Sequence, residues 1–169
     1  MNNPLKLADV LGLKRLQQLQ DTFASAVQVA TVLVDHTGQP LVPHGNAHGF
    51  CALIHGTPCG MDKCTATYAS LCAENKATGK MAVASCPYSG LTVAAEPLML
   101  DDQYLGSWVI GQLRTNTPDK ANLAQTAEAL QLPLDELTAL YDAIPPTSPE
   151  ALQQIFKFLA AMSQTLVEL

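Results

Sequence analysis

The chain has 169 residues, enough for one domain of ordinary size; 48% are hydrophobic and 14% are charged. This balance excludes a disordered chain and allows a substantial hydrophobic core. The net charge is −6 and the nine basic residues are spread along the chain, so we expect no direct binding of nucleic acid, which requires clustered cations.

The N-terminal segment, MNNPLKLADVLG, has no basic stretch followed by a long apolar run, so it does not resemble a signal peptide. No segment approaches the roughly 18 to 20 apolar residues that span a bilayer. We therefore expect a cytoplasmic protein without a membrane partner. In that reducing compartment, cysteines are expected as free thiols or metal ligands rather than as disulfides.

The first half of the chain begins with a helical pattern, because Leu16, Leu19, Phe23 and Ala26 recur at helical spacing. The continuous apolar run VATVLV follows and ends at an Asp-His-Thr-Gly turn, which predicts a buried strand. The elements predicted here are a helix over 6–28, a strand over 29–34, a short returning strand over 39–42, a polar loop and a short helix over 50–55.

The second half of the chain contains further helix and strand signals. Asp62 is a candidate N-cap and Gly79 a candidate C-terminal signal for a helix over 62–77. Pro118 and Pro133 each fit a first helical turn. The remaining predicted elements are strands over 80–86, 91–98 and 104–113, with a hairpin-length link between the last two, and a final helix from about residue 148 to the end.

The final helix carries apolar residues at alternating steps of three and four, which is a heptad seam. The seam residues are Leu152, Ile155, Leu159, Met162, Leu166 and Leu169. Two interpretations remain open: the seam packs on its own domain, or it pairs with a second copy in a homodimer and passes a signal onward.

This order of elements predicts an α+β fold of the PAS or GAF kind, with an antiparallel sheet, an N-terminal helix, inserted helices and a C-terminal helical segment. We expect a single domain over 1–169, with a core over about 6–115 and C-terminal helices over 118–169. Small sheets of this kind hold ligands between one sheet face and the inserted helices.

All five cysteines lie between positions 51 and 86. Their spacing does not give the two close pairs of a zinc ribbon. Cys64 and Cys72 fall on one predicted helix, separated by about 12 Å of helical rise, so both cannot ligate one ion and Cys72 is interpreted as a packing residue. Cys51, Cys59, Cys64 and Cys86 lie at the ends of elements and could converge.

Convergence of those four thiols would suit zinc or an iron–sulfur cluster. The alternative is that they are small buried hydrophobic residues and that no cofactor is bound. Because Cys64 falls near a predicted helix N-terminus, its pKa is expected to be lowered. His44 or His48 could complete a metal sphere, but loop histidines are usually solvated and we interpret them so.

No G-x-S-x-G, H-E-x-x-H or P-loop motif is present, so an enzyme is not expected. A Cys–His pair brought together in space stays open. Phe50, Tyr68, Tyr88 and Trp108 could line a small pocket or belong to the core. Gln112 lies within the apolar strand WVIGQL, where a buried amide must find a partner.

Several of these features resemble the PocR-type sensory domain. They are the L-x-x-L-Q-D-x-F-A helix, the V-D-x-x-G-x-P-L turn, the Phe-Cys pair, a cysteine on the next helix, the strand ending in cysteine and the G-x-x-x-x-G-Q strand, over roughly 12–113. The resemblance implies a PAS-like fold and a role in bacterial or archaeal regulators, ahead of an output module. It carries over Phe50, Cys51, Cys64, Cys86, Gly90, Leu91 and Gln112.

The chain departs from the family pattern after Cys86. The family has C-H-x-G-L, whereas this chain reads C-P-Y-S-G-L, without the histidine and with one residue inserted. We therefore expect any role of that histidine to be absent and the ligand to differ.

Together these observations predict a cytosolic sensory domain that binds a small molecule and relays the signal to a transcription or signalling output. The predicted ligand-binding residues are Phe50, Cys51, Tyr68, Cys86, Tyr88, Trp108 and Gln112. The alternative is a redox sensor with zinc or an iron–sulfur cluster, and its predicted metal ligands are Cys51, Cys59, Cys64 and Cys86.

Overall fold

A computed structural model describes residues 5–47, 49–117 and 119–168. Its centre is a four-stranded antiparallel sheet of order β1-β4-β3-β2. The strands are β1 (Ala30–Asp35), β2 (Ala82–Ser85), β3 (Thr92–Leu100) and β4 (Gln103–Leu113). The β3–β4 hairpin turns at Asp101, whose φ of 52° suits the tight link that the sequence predicts.

Seven helices flank the sheet within the described residues. They are α1 (Leu7–Leu11), α2 (Leu13–Val27), α3 (Gly49–His55), α4 (Gly60–Thr78), α5 (Lys120–Leu130), α6 (Leu134–Asp142) and α7 (Pro149–Glu168). One sheet face, the α2/α7 face, is covered by α2 and α7, and the opposite α4 face is covered by α4. A third apolar cluster joins α3, α5 and α6 beside the sheet. This is the α+β architecture that the sequence predicts.

Some predicted boundaries are wrong. The N-terminal helix is two helices, because Gly12 between them adopts a φ of 75°. The returning strand is a single bridge between Val34 and Pro40, since proline cannot donate a ladder hydrogen bond. Pro133 is the N-cap of α6 rather than a residue of its first turn, and Pro118 lies outside the described residues.

Helix α4 begins earlier than predicted, with Cys59 at the N-cap and Asp62 in the first turn. Gly79 ends it in the left-handed conformation, as predicted. The start of α4 requires glycine, because a Cβ at Gly60 would overlap the carbonyl oxygen of Ile54. This close approach fixes α3 against α4 and so sets two walls of the site described below.

The heptad seam of α7 packs on the sheet of its own chain. Leu159 and Leu166 are buried in the α2/α7 cluster. Leu152, Ile155 and Met162 pack against the same cluster, and Leu169 lies outside the described residues. The first interpretation of the seam is therefore the one that the structure has. In the described part of the chain, no helix is long and apolar enough to cross a membrane.

Candidate functional site

A cavity of about 50 Å³ lies on the α4 face, between the sheet and helices α3 and α4. That is room for roughly three or four water molecules. The sheet side is apolar and includes Val32, Val93 and Val109. Side chains that can form hydrogen bonds also line the cavity: Cys51, Cys64, Cys86, His44, His55, Tyr68 and Gln112.

The three cysteines of the cavity come from three elements. Cys51 is on α3, Cys64 is on α4, and Cys86 follows the end of β2. Burial raises the pKa of Cys51 to about 12, opposed by a hydrogen bond with Gln112 and increased by the nearby Cys86. Burial, followed by the proximity of Cys86 and Cys51, also raises the pKa of Cys64 to about 12. Both thiols are therefore protonated at neutral pH.

The prediction of a lowered pKa for Cys64 is wrong. Helix α4 starts at Gly60, so Cys64 lies beyond the first turn, where the effect of the helix dipole fades. The loss of hydration inside the cavity then dominates and favours the uncharged thiol.

Two histidines close one side of the cavity. Nε2 of His44 and the hydroxyl of Tyr68 share a hydrogen bond of 3.0 Å, and the His44 and His55 rings are 5.0 Å apart. Burial, with a smaller repulsion from His55, lowers the pKa of His44 to about 4. Burial likewise lowers the pKa of His55. The interpretation of His44 as a solvated loop side chain is therefore wrong, and His48 lies outside the described residues.

The same histidines also face the surface. His44 and His55 line a second, open groove together with Pro40, Leu41 and Met61. They therefore lie between this groove and the cavity. A molecule that enters from the groove would have to pass or displace the two imidazole rings.

Gln112 occupies an unusual backbone position. Its φ is 58°, in the left-handed region that side chains other than glycine rarely adopt. The register between β3 and β4 shifts beside it, between Thr92 and Ala94. Its side chain is hydrogen-bonded to the Cys51 thiol. Strained residues of this kind concentrate at functional sites, and here the strain directs an amide into the cavity.

The structure does not bring every predicted site residue to the cavity. Phe50 and Tyr88 are buried in the α3/α5/α6 cluster, where Phe50 meets the ring of Tyr141 edge-on. Trp108 is fully buried on the opposite α2/α7 face. Cys59 is exposed at the start of α4, outside the cavity. The side chains of these residues point away from the cavity, into the α2/α7 cluster, into the α3/α5/α6 cluster or, for Cys59, to the surface.

Cys72 is buried among the apolar residues of the α4 face, and its thiol donates a 3.7 Å hydrogen bond to the carbonyl of Asp35. It is thus a packing residue. Within 5–47, 49–117 and 119–168, no three His, Cys, Asp or Glu side chains are arranged to hold a metal ion. Cys51, Cys64, Cys86 and His55 nevertheless share the cavity.

Comparison with known proteins gives a family. The family model described as "Sensory domain found in PocR" matches residues 9–169. No curated protein matches the chain. Among solved structures, the chain is similar to the GAF domain/HD domain protein from Geobacter sulfurreducens, with 14% identity, a TM-score of 0.46 and 97% of each chain covered.

Proposed function

Because the chain belongs to the family of sensory domains found in PocR, we propose that its cavity binds a small uncharged molecule and that binding is relayed to a transcription or signalling output. The observation that carries this proposal is the cavity between the sheet and helices α3 and α4. Its role is recognition rather than enzymatic turnover.

The chemistry of the lining supports an uncharged ligand. His44 is neutral at physiological pH because burial lowers its pKa to about 4. The thiols of Cys51 and Cys64 are also uncharged, because burial raises the pKa of each to about 12. An ion entering this cavity would lose hydration without meeting an opposite charge from these groups, which is costly. A small molecule with an apolar part and one or two hydrogen-bonding groups matches the walls.

A route for the relay runs through β1. Thr31 lines the cavity, and its hydroxyl donates to the carbonyl of Val109 at 2.8 Å. The same hydroxyl accepts a 2.7 Å hydrogen bond from the indole Nε1 of Trp108. Trp108 packs beneath α2 and α7. We therefore propose that a ligand that shifts β1 or β4 changes the packing of these two terminal helices.

Thermal-shift and calorimetric titrations test the binding proposal, using alcohols, diols, aldehydes, aromatic compounds and charged analogues of matched size. A Thr67→Phe variant fills the cavity from α4, and Thr65→Phe, on the same helix but outside the cavity, is its control. We expect uncharged molecules to stabilise the wild type and Thr65→Phe but not Thr67→Phe. Equal stabilisation of both variants, or of none, would contradict the proposal.

A second candidate is the capture of zinc or an iron–sulfur cluster by Cys51, Cys64 and Cys86. The specific observation is that three thiols and His55 share one cavity. Since no three such side chains among the described residues are arranged to hold an ion, capture would require these groups to move together, and the inclusion of the exposed Cys59 would also require a rearrangement of the start of α4. Metal analysis and an absorption spectrum of protein purified without oxygen decide this candidate. A colourless, metal-free, folded protein whose thiols all titrate would exclude it.

We further propose that the chain acts in the cytoplasm as a homodimer, without contact with nucleic acid or membrane. The absence of clustered cations in the sequence supports the lack of contact with nucleic acid. Since the seam of α7 faces its own sheet, the dimer contact would use exposed apolar side chains such as Leu13 and Phe158. Sedimentation equilibrium tests this: a monomer at all concentrations would contradict it.

A further inference from the structure

Cys64 and His55 form a thiol–imidazole pair inside the cavity. The Sγ of Cys64 lies 3.6 Å from Nε2 of His55, a distance suited to a hydrogen bond that involves sulfur. When the imidazole proton is on Nδ1, Nε2 accepts the hydrogen bond that the thiol donates. Both side chains line the same cavity. A thiol beside a neutral base is the arrangement that activates a sulfur nucleophile.

The other thiols have different neighbours. Cys51 is hydrogen-bonded to the amide of Gln112, which is not a base. Cys59 is exposed and lies outside the cavity. Cys72 donates to a backbone carbonyl. Cys86 lines the same cavity as Cys64, and the hydrogen bond between a thiol and an imidazole that the structure shows is the one between Cys64 and His55.

We propose that Cys64, assisted by His55, captures a short-chain aldehyde as a reversible covalent adduct. This rests on the proposed function and deepens it by naming the chemical class of the ligand. The sulfur forms a bond to the carbonyl carbon while the thiol proton moves to Nε2 of His55 and the carbonyl π electrons move to oxygen. His55 then returns that proton to the oxygen, which gives a thiohemiacetal. Atoms and electrons balance without an oxidant or a reductant.

The surroundings suit a short-chain aldehyde. Val32, Val93 and Val109 form an apolar wall that suits a short carbon chain. Tyr68 lines the same cavity, in which the new hydroxyl of the adduct would lie. Bond formation requires that the thiol proton move to His55, whose Nε2 lies 3.6 Å from Sγ of Cys64. The adduct is reversible, as a sensor requires.

The experiment uses the full chain with propanal carrying ¹³C at its carbonyl carbon. NMR follows the conversion of the aldehyde carbon to a thiohemiacetal carbon, and intact-protein mass spectrometry counts the adducts. We expect one saturable adduct on the wild type and none on Cys64→Ser. Since general base catalysis contributes about 10² or more to a rate, His55→Gln should slow adduct formation by about 100-fold. Cys59→Ser, which lies outside the cavity and is exposed, should keep it.

Propan-1-ol, which has a similar size but no carbonyl, separates this inference from the proposed function. If propanal and propan-1-ol both stabilise the wild type and no adduct carbon appears, the covalent inference fails and small-molecule binding stands. If neither molecule nor any other stabilises the protein, both fail. An adduct that persists in Cys64→Ser, or an unchanged rate in His55→Gln, also overturns the inference. The wild-type spectrum decides the matter even if a variant does not fold.

Discussion

The two faces of the sheet are built on the same strands but differ in what covers them. On β4, Trp108 points to the α2/α7 face and the next residue, Val109, points to the α4 face, because successive strand residues alternate. The α2/α7 face is packed around aromatic rings, with the ring of Phe23 4.9 Å from that of Trp108, and leaves a cavity of about 30 Å³ between α2, α7 and Trp108. The α4 face leaves a larger cavity of about 50 Å³, lined by half-buried histidines and thiols.

Under the proposed function, one small sheet separates the packing that supplies stability from the cavity that binds the ligand. Close packing on the α2/α7 face supplies dispersion contacts and apolar burial. On the α4 face, polar groups are satisfied in pairs, such as His44 with Tyr68 and Cys64 with His55. Paired neutral groups cost little when they are buried, and a ligand can replace one member of a pair. We expect substitutions on the two faces to have correspondingly different effects.

The largest expected effect comes from Trp108→Ala. Removing this fully buried side chain should lower the free energy of unfolding by about 3 to 5 kcal/mol. Val109→Ala, on the cavity wall, should cost about 1.5 kcal/mol, the equivalent of two buried methylene groups. Urea denaturation measures both. Equal losses would mean that the α4 face carries as much stability as the α2/α7 face, and the comparison would be wrong.

A pH dependence should arise from the α4 face. Burial lowers the pKa of His44 to about 4 from an ordinary value of 6.5, so the unfolded chain takes up a proton first as the pH falls. The stability of the neutral form is therefore complete above pH 6.5 and is lost as the pH falls towards 4, by up to about 3 kcal/mol. His55, whose pKa burial also lowers, contributes in the same direction.

Urea denaturation at a series of pH values between 7 and 4 measures this loss. His44→Gln should flatten the profile in this range, whereas substitution of the exposed His36 is the matched control. A wild-type profile without a loss of stability below pH 6.5 would mean that the histidines are hydrated and that the cavity is open to water.

Gln20 links helix α2 to β1 and to the loop that precedes His44, and its replacement should have an intermediate effect on stability. This fully buried amide on α2 accepts a hydrogen bond from the backbone N–H of Leu33 and donates one to the carbonyl of Pro43, both at 2.7 Å. Gln20→Leu would leave both backbone groups without this partner and should cost about 2 kcal/mol. Because Pro43 precedes His44, the variant should also weaken ligand binding. Unchanged binding would show that the loop is held by other contacts.

Local patterns in the sequence predict the strands, the inserted helices and the α7 seam, because each depends on residues close together in the chain. Two seam residues, Leu159 and Leu166, are buried, and Leu152, Ile155 and Met162 are partly buried against the same cluster, since hydrophobic periodicity reports burial. The pairing of His55 with Cys64 across the α3–α4 connection was not predicted, because it depends on the packing of α3 against α4 at Gly60. Similarly, alternation along β4 separates Trp108 from Val109 but does not say which face binds.

The smallest expected effect on stability, and the sharpest test of whether the faces communicate, comes from Thr31→Val. The variant keeps the shape of Thr31 but removes the oxygen that accepts from Trp108 Nε1. The unpaired indole should cost about 1 kcal/mol. Since Trp108 is the single tryptophan, its fluorescence reports the α2/α7 face alone. A ligand that binds in the cavity should change this fluorescence in the wild type. In Thr31→Val, binding by calorimetry should persist while the fluorescence change decreases; an unchanged response would mean that the signal crosses the sheet elsewhere.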